Sequence, residues 1–192
     1  TNYEKANGES TYRAGDDIDL EGLREAAERV ETDFNLMDFF SQSIAPGYNR
    51  DQIRGYGLTE WRDVFTPRQL VAHYELFNIF NQIKVEISDS HEDKESKLLI
   101  ALLAQAVDRQ IQYNNRLAGW RSDRGSPTPV FASQNYNIKR MFAGNNIVAK
   151  RMGLDRHFSH VINNYERLSS MVSATDTEKS KPEVYNRDAT TI

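Results

Sequence analysis

The stretch from Thr66 to Ile87 carries the strongest folding instruction in this chain. Thr66 is a good N-cap, because its hydroxyl can accept from a backbone N–H two or three residues on. Pro67 takes the first helical position, where its missing N–H costs nothing. Gln69, three residues after Thr66, can reach back to the Thr66 N–H and complete a capping box. Downstream, Leu70, Tyr74, Phe77, Phe80, Ile83 and Ile87 recur near one face of a 3.6-residue helix. A helix started this sharply, with so long an apolar face, needs a partner surface. The next apolar run supplies one: Leu98, Leu99, Leu102, Leu103, Ala106, Val107, Ile111 and Leu117, in a helix over about Lys94–Trp120. The polar break from Ser88 to Asp93 is short, so the two helices should pack as an antiparallel pair at the centre of the core.

The rest of the chain also reads as helix and connection. Residues 1–15 are polar and read as loop. Asp19 can cap a helix from Leu20 to about Glu31, with Leu20, Leu23, Ala27 and Val30 at helical spacing. Met37, Phe39 and Phe40 form either one more helical turn or a packed loop, and Ile44–Asp51, with Pro46-Gly47, reads as a connection. Gly55 and Gly57 bend the chain around Tyr56. Trp61, Phe65 and Trp120, large and near element ends, should clamp loops onto helices. Arg121–Pro129 reads as loop, broken by Gly125, Pro127 and Pro129. A helix over about Val130–Phe142 follows, stopped near Gly144. A last helix, in two pieces broken near Gly153, uses Ile147, Met152, Phe158, Val161, Ile162, Tyr165, Leu168 and Met171. Residues 175–192 read as a flexible polar tail. The expectation is an all-α domain over 16–174, an irregular bundle of five or six helices with little or no strand.

Composition excludes several function classes. The 192 residues suffice for one domain, burying roughly 70% of its unfolded-chain surface. A net charge of −4 gives no global field to attract nucleic acid, so any DNA contact must be a local basic patch. The absence of Cys excludes disulfides, a Cys nucleophile and Cys-rich structural zinc sites. No apolar run approaches the ~20 residues that cross a bilayer, and no signal peptide opens the chain. The expectation is a cytoplasmic protein without membrane partners. Thr1 and the polar tail suggest a piece of something larger.

Three stretches, in order, carry a resemblance. "GYGLTEWRDVFTPRQLVA" (55–72) is similar to a segment of the zinc-ribbon-containing adenine-specific DNA methylases. In that family a glycine-aromatic-glycine turn, a Trp and an "LFTPRQLLAL"-like helix start occur together; here Val64 stands for the Leu. "ALLAQAVDRQIQYNNRLAGW" (101–120) resembles that family's "ALALDRLADYNSxLxxW" helix. "VFASQNYNIKRMF" (130–142) resembles the "FxRQALPMVW" helix that follows. Near the start, "TYRAGDDIDLEGLREAAERV" (11–30) looks like its "YRxPxxxD…A…A" lead-in. The resemblance implies a helical accessory or insertion domain of an S-adenosylmethionine-dependent enzyme. Its partners would be DNA, through the parent, and the catalytic methyltransferase domain of the same chain.

The chemistry of methyl transfer is not expected within this stretch. Holding a flipped adenine calls for an Asn- or Asp-Pro-Pro-aromatic motif, and no Pro-Pro occurs. Phe142-Ala143-Gly144-Asn145-Asn146 superficially mimics a cofactor turn, but no apolar strand precedes it, and a helix cap is the simpler reading. No catalytic, cofactor or metal residue is therefore assigned, and S-adenosylmethionine belongs to the parent. His157 and His160, three apart, lack the carboxylates or Cys of a metal site; His73 reads as a surface or boundary residue. Tyr113-Asn114-Asn115-Arg116 needs a reason, since Asn is disfavoured inside helices. Asn can bond adenine edges bidentately, or a buried Asn can fix the following loop. Arg68 occupies a first helical turn, where the macrodipole disfavours a cation. Either a carboxylate, Asp63 or Glu60, or a DNA phosphate should face it. The candidate DNA-binding set is Arg68, Asn114, Asn115, Arg116 and Arg140; the structural motif is Trp61, Phe65, Thr66, Pro67, Gln69 and Trp120. A helical protein–protein interaction module of a restriction or anti-phage complex is the alternative.

Overall fold

A computed structural model describes residues 2–4, 10–12, 14–123, 125–130, 138, 142–149 and 153–174. Its backbone is all-α, with six α-helices among the described residues: α1 (Asp17–Thr32), α2 (Phe34–Asp38), α3 (Tyr48–Gly55), α4 (Pro67–Ser90), α5 (Asp93–Tyr113) and α6 (Leu154–Ala174). Two small antiparallel hairpins accompany them, β1 (Asn2–Glu4) with β2 (Ser10–Tyr12) and β3 (Trp120–Arg121) with β4 (Ser126–Pro127). Both fall where the sequence reads as loop. Each strand is too short to show a two-residue alternation; the second hairpin turns at Gly125, whose φ of 56° suits glycine.

Helices α4 and α5 form the expected antiparallel pair. The capping box at Thr66 is present: Gln69 N–H donates to Thr66 Oγ1 at 3.3 Å, and Thr66 N–H donates to Gln69 Oε1 at 2.9 Å. The link to α5 is closed by Ser96, whose hydroxyl donates to the carbonyls of Ile87 and His91 at 3.2 and 3.1 Å. Helix α5 ends at Tyr113, earlier than the expected Trp120. There Asn115 Oδ1 accepts the Leu117 N–H at 2.8 Å and turns the chain out of helix.

Helix α1 begins before the expected Leu20. Asp16 is its cap, and Asp16 and Asp19 accept each other's backbone N–H at 3.1 and 3.2 Å. α1 lies along α4, where Arg29 pairs with Glu75. Asp33 then caps α2 by accepting from Asn35 and Leu36 N–H. Helix α3 was hidden as a connection because its one buried residue, Ile53, makes no period. Its start is held by polar contacts instead, Gly47 N–H to Asp51 Oδ1 and Arg50 Nη2 to Pro46 O. The expected helix over 130–142 and the tail at 175–192 lie outside the described residues, apart from 130, 138 and 142.

The core gathers at the start of α4 and the end of α5: Leu36, Ile44, Ile53, Leu58, Val64, Phe65, Leu70 and Leu117. Segment 40–44 is stitched to 59–62 by the bonds Arg62 N to Phe40 O, Trp61 N to Gln42 O and Ile44 N to Thr59 O, at 2.8, 3.0 and 2.7 Å. Phe40 has φ of 59°, a left-handed conformation that is an outlier for a bulky residue. Its ring is held between Phe39, Phe65 and Phe77.

Candidate functional site

The two stretches around Thr66 and Asn114 close on each other through buried amides. Gln69 Nε2 donates to Asn114 Oδ1 at 3.3 Å. The same oxygen accepts the Asn145 N–H at 3.0 Å, and Asn145 Nδ2 donates to Gln110 Oε1 at 3.4 Å. Gln69, Gln110 and Asn114 are all buried, so these bonds form where an unpaired amide is expensive. His73 belongs to the same cluster. Its Nε2 lies 2.9 Å from the Asn114 carbonyl, which can only accept, so Nε2 carries the proton and Nδ1 is bare and buried without a partner. Burial lowers the His73 pKa, partly offset by that backbone bond. The residue is fully buried, against the edge of Phe65, and not at the boundary as expected.

This placement decides how the candidate DNA contacts sit. Asn114 and Asn115 are 1% and 3% exposed. Asn115 spends its amide on the Ile111 and Gln112 carbonyls, at 2.6 and 3.1 Å, as well as on Leu117. Both therefore serve as buried residues that fix the loop after α5, and neither presents an edge to DNA. Arg116 reaches back to the first stretch, with Nη1 on Asp63 O and its backbone N–H on Val64 O, both at 2.8 Å. Arg68 alone of the described candidates stands exposed, with no ion pair among the described residues. The carboxylates expected beside it are engaged elsewhere: Asp63 Oδ2 accepts from Thr59 and Glu60 N–H, and Glu60 pairs with Arg62 at 2.5 Å. Arg140 lies outside the described residues. Trp61 lies in a 3-10 turn, Trp61–Val64, and packs against the core that holds the buried Phe65; Trp61 and Trp120 are half-buried.

A second polar cluster joins α5 and α6. His157 is 2% exposed, with both ring nitrogens unpartnered, and stacks on Tyr113 at a centroid distance of 5.4 Å. The Arg109 guanidinium lies 5.7 Å from the same Tyr113 ring. Burial, then Arg109, His160 and Arg156, push the His157 pKa down to about 4. His160 faces solvent and accepts from Arg156 Nε at 3.3 Å, so the two His do not converge as a metal pair. Among the described residues no group of three or more His, Cys, Asp or Glu is placed to hold a metal ion. Beside this cluster a polar cleft of about 240 Å³ runs between α5 and α6, lined by Gln105, Asp108, Arg109, Gln112, His160 and Asn164.

Two buried, neutral His make the fold sensitive to acid. Above pH 6.5 His157 is neutral in both folded and unfolded chain. As pH falls from 6.5 to about 4 the unfolded chain binds a proton that the folded one refuses, so stability drops across that window. The expected loss from His157 is roughly 3 kcal/mol by pH 4, and His73 adds in the same direction. His157→Phe keeps a ring on Tyr113 and removes the proton, so urea midpoints measured from pH 7.5 to 4.5 should fall less steeply. An unchanged slope would show that His157 does not titrate in this way.

A third feature is an apolar cavity of about 340 Å³, lined by Phe40, Gln42, Trp61, Val64, Phe65, Ile111, Asn115, Leu117 and Val130. The sequence stretches 55–72, 101–120 and 130–142 each supply part of its wall. Sequence reading did not place His73, Gln110, Asn145 or His157 in a buried polar cluster. A signal existed for two of them: Gln69 and His73 on α4, and Gln110 and Asn114 on α5, are polar pairs four apart that interrupt apolar faces. No family model, no curated protein and no solved structure matches the chain.

Proposed function

We propose that this chain is a helical accessory domain of an S-adenosylmethionine-dependent, adenine-specific DNA methyltransferase, one that helps to engage or position DNA and leaves catalysis to another part of the enzyme. The observation that supports this reading is the way the resembling stretches meet: Gln69 bonds Asn114, and Arg116 bonds the Asp63 and Val64 carbonyls. The residues that carry the resemblance are thus used to build one junction. DNA contact then rests on Arg68, exposed in the first turn of α4, where the positive end of the helix dipole suits a phosphate.

The test uses the protein that carries this chain, assayed for transfer of a labelled methyl group to adenine in duplex DNA. Transfer is expected. Arg68→Ala should weaken binding to every DNA sequence alike and reduce the salt slope of log affinity by about one, with stability unchanged. Absence of methyl transfer would reject the parent's chemistry; transfer with an unaltered salt slope would reject the DNA role of Arg68.

A second reading, a protein-interaction module of a restriction or anti-phage complex, has its own observation. Leu154, Phe158, Val161, Tyr165, Leu168 and Val172 alternate at three and four along α6. The stripe is buried at Val161, but Tyr165 and Leu168 are 44% and 62% exposed. An apolar stripe left open in this way suits a partner helix. Loss of co-purifying partners on Leu168→Glu, with DNA affinity intact, would favour this reading.

A further inference from the structure

We propose that the polar cleft between α5 and α6 is a binding site for a small zwitterion of the free α-amino acid class, whose carboxylate meets Arg109 and whose ammonium meets Asp108. The walls come from one face of each helix. Gln105, Asp108, Arg109 and Gln112 recur at helical spacing and so share a face of α5. His160 and Asn164, one turn apart, close the cleft from α6 over Val161. The volume of about 240 Å³ lies under the roughly 300–1,000 Å³ of drug-sized sites, so the cleft suits a smaller molecule.

Both charges in the lining lack a counter-charge. Arg109 is half-buried, and its Nη2 donates to the neutral Tyr113 hydroxyl at 3.4 Å, while its Nε is buried without an acceptor. No carboxylate among the described residues pairs with Arg109, and no cation among them pairs with Asp108. The two do not neutralise each other, because consecutive positions on a helix do not face one another. A guanidinium offers donors only, and an ionised carboxylate acceptors only. The ligand that answers both carries an anion and a cation a few bonds apart, as a free amino acid does across its α-carbon. A phosphate would satisfy Arg109 but meet Asp108 as a like charge.

The guanidinium is held in place before a ligand arrives. It lies 5.7 Å from the Tyr113 ring centroid, and Tyr113 in turn stacks on the buried His157. Fixing a long side chain in this way removes part of the ordering cost of binding. His160 Nε2 accepts from Arg156 Nε at 3.3 Å, so the neutral ring carries its proton on Nδ1 and donates from there. Gln105, Gln112 and Asn164 add amides whose side chains make no hydrogen bond among the described residues. Val161 is the one apolar side chain that lines the cleft among the described residues, so the site selects a ligand that is polar throughout. The proposal does not depend on the reading of the chain as a methyltransferase domain.

Three probes separate the two charges. L-Glutamine carries both and a polar side chain; 4-carbamoylbutanoate is the same skeleton without the ammonium, and 4-aminobutanamide is that skeleton without the carboxylate. The readout is the Val161 methyl and Asn164 side-chain amide resonances of the full chain. Saturable shifts are expected with L-glutamine, and affinity about ten-fold weaker for each of the other two, the factor that one charge-assisted hydrogen bond contributes. Asp108→Asn, at an exposed position, should bring L-glutamine and 4-carbamoylbutanoate to one affinity. Arg109→Gln should do the same for L-glutamine and 4-aminobutanamide; if that variant does not fold, the probe series and Asp108→Asn still decide. No saturable shift with L-glutamine, equal affinity for all three probes, or an L-glutamine affinity that Asp108→Asn leaves unchanged would each overturn the proposal.

Discussion

Replacing Asn114 by Ala is expected to lower the unfolding free energy by about 4 kcal/mol, close to the upper end for single substitutions. The side chain is 1% exposed and its Oδ1 serves two donors, Gln69 Nε2 and the Asn145 N–H. Removing the acceptor leaves both donors without it at the junction, at about 1–3 kcal/mol each, and opens a small void. The loss should be larger than for Gln69→Ala, because Asn114 also ties the 142–149 segment to α5. Since Gln69 and Asn114 bond each other, the two single losses should sum to more than the double variant shows, with a coupling of about 1 kcal/mol. Urea titration of the four proteins in the cycle measures this. A loss below 1 kcal/mol for Asn114→Ala would mean that the amides at this junction are satisfied in some other way.

How much of this junction could be read beforehand depends on which signals are local. The start of α4 was legible because every part of it lies within four residues: Thr66, Pro67 and Gln69 act on one another. The oddity of Asn114-Asn115 was also legible, as was the choice between an adenine edge and a fixed loop. Its partner was not, since Gln69 reaches Asn114 only through tertiary pairing. Yet the same antiparallel register that puts Ser96 beside Ile87 puts Asn114 beside Gln69. A short link between two long helices fixes that register, so polar interruptions on the two faces could have been matched. Helix α3 and the 120–127 hairpin had no such handle. Each is too short for a hydrophobic period, and polar and backbone contacts such as Gly47 to Asp51 hold them. The buried state of His73 and His157 was hidden for a related reason. A lone His within an amphipathic helix titrates and exposes according to its tertiary neighbours, here Phe65 and Tyr113.

Gly153→Ala is expected to cost about 4 kcal/mol, whereas Gly144→Ala should change stability by less than about 1 kcal/mol in either direction. The contrast is geometric. A Cβ at Gly153 would stand 2.5 Å from the Ile147 carbonyl oxygen and 2.8 Å from the Ala149 nitrogen, and would overlap the Ala149 carbonyl oxygen; a Cβ at Gly144 meets nothing within 4 Å. All three obstacles at Gly153 are backbone atoms, so no rotamer change can clear them. The same approach carries two hydrogen bonds, Gly153 N–H to Ala149 O and Leu154 N–H to Ile147 O, both at 2.8 Å, which seat the start of α6 on the preceding turn. Making room for a methyl group must lengthen one of them and move the first turn of α6, three residues from His157. The His157 ring should then loosen from Tyr113 and titrate closer to the ordinary His value than to about 4. Thermal melts give the stability, and the His157 Hε1 resonance followed against pH gives the displacement. If Gly153→Ala proves as mild as Gly144→Ala, α6 does not start by resting on the 147–149 turn. If stability falls while the His157 titration stays put, the strain is absorbed before it reaches the α5–α6 seam.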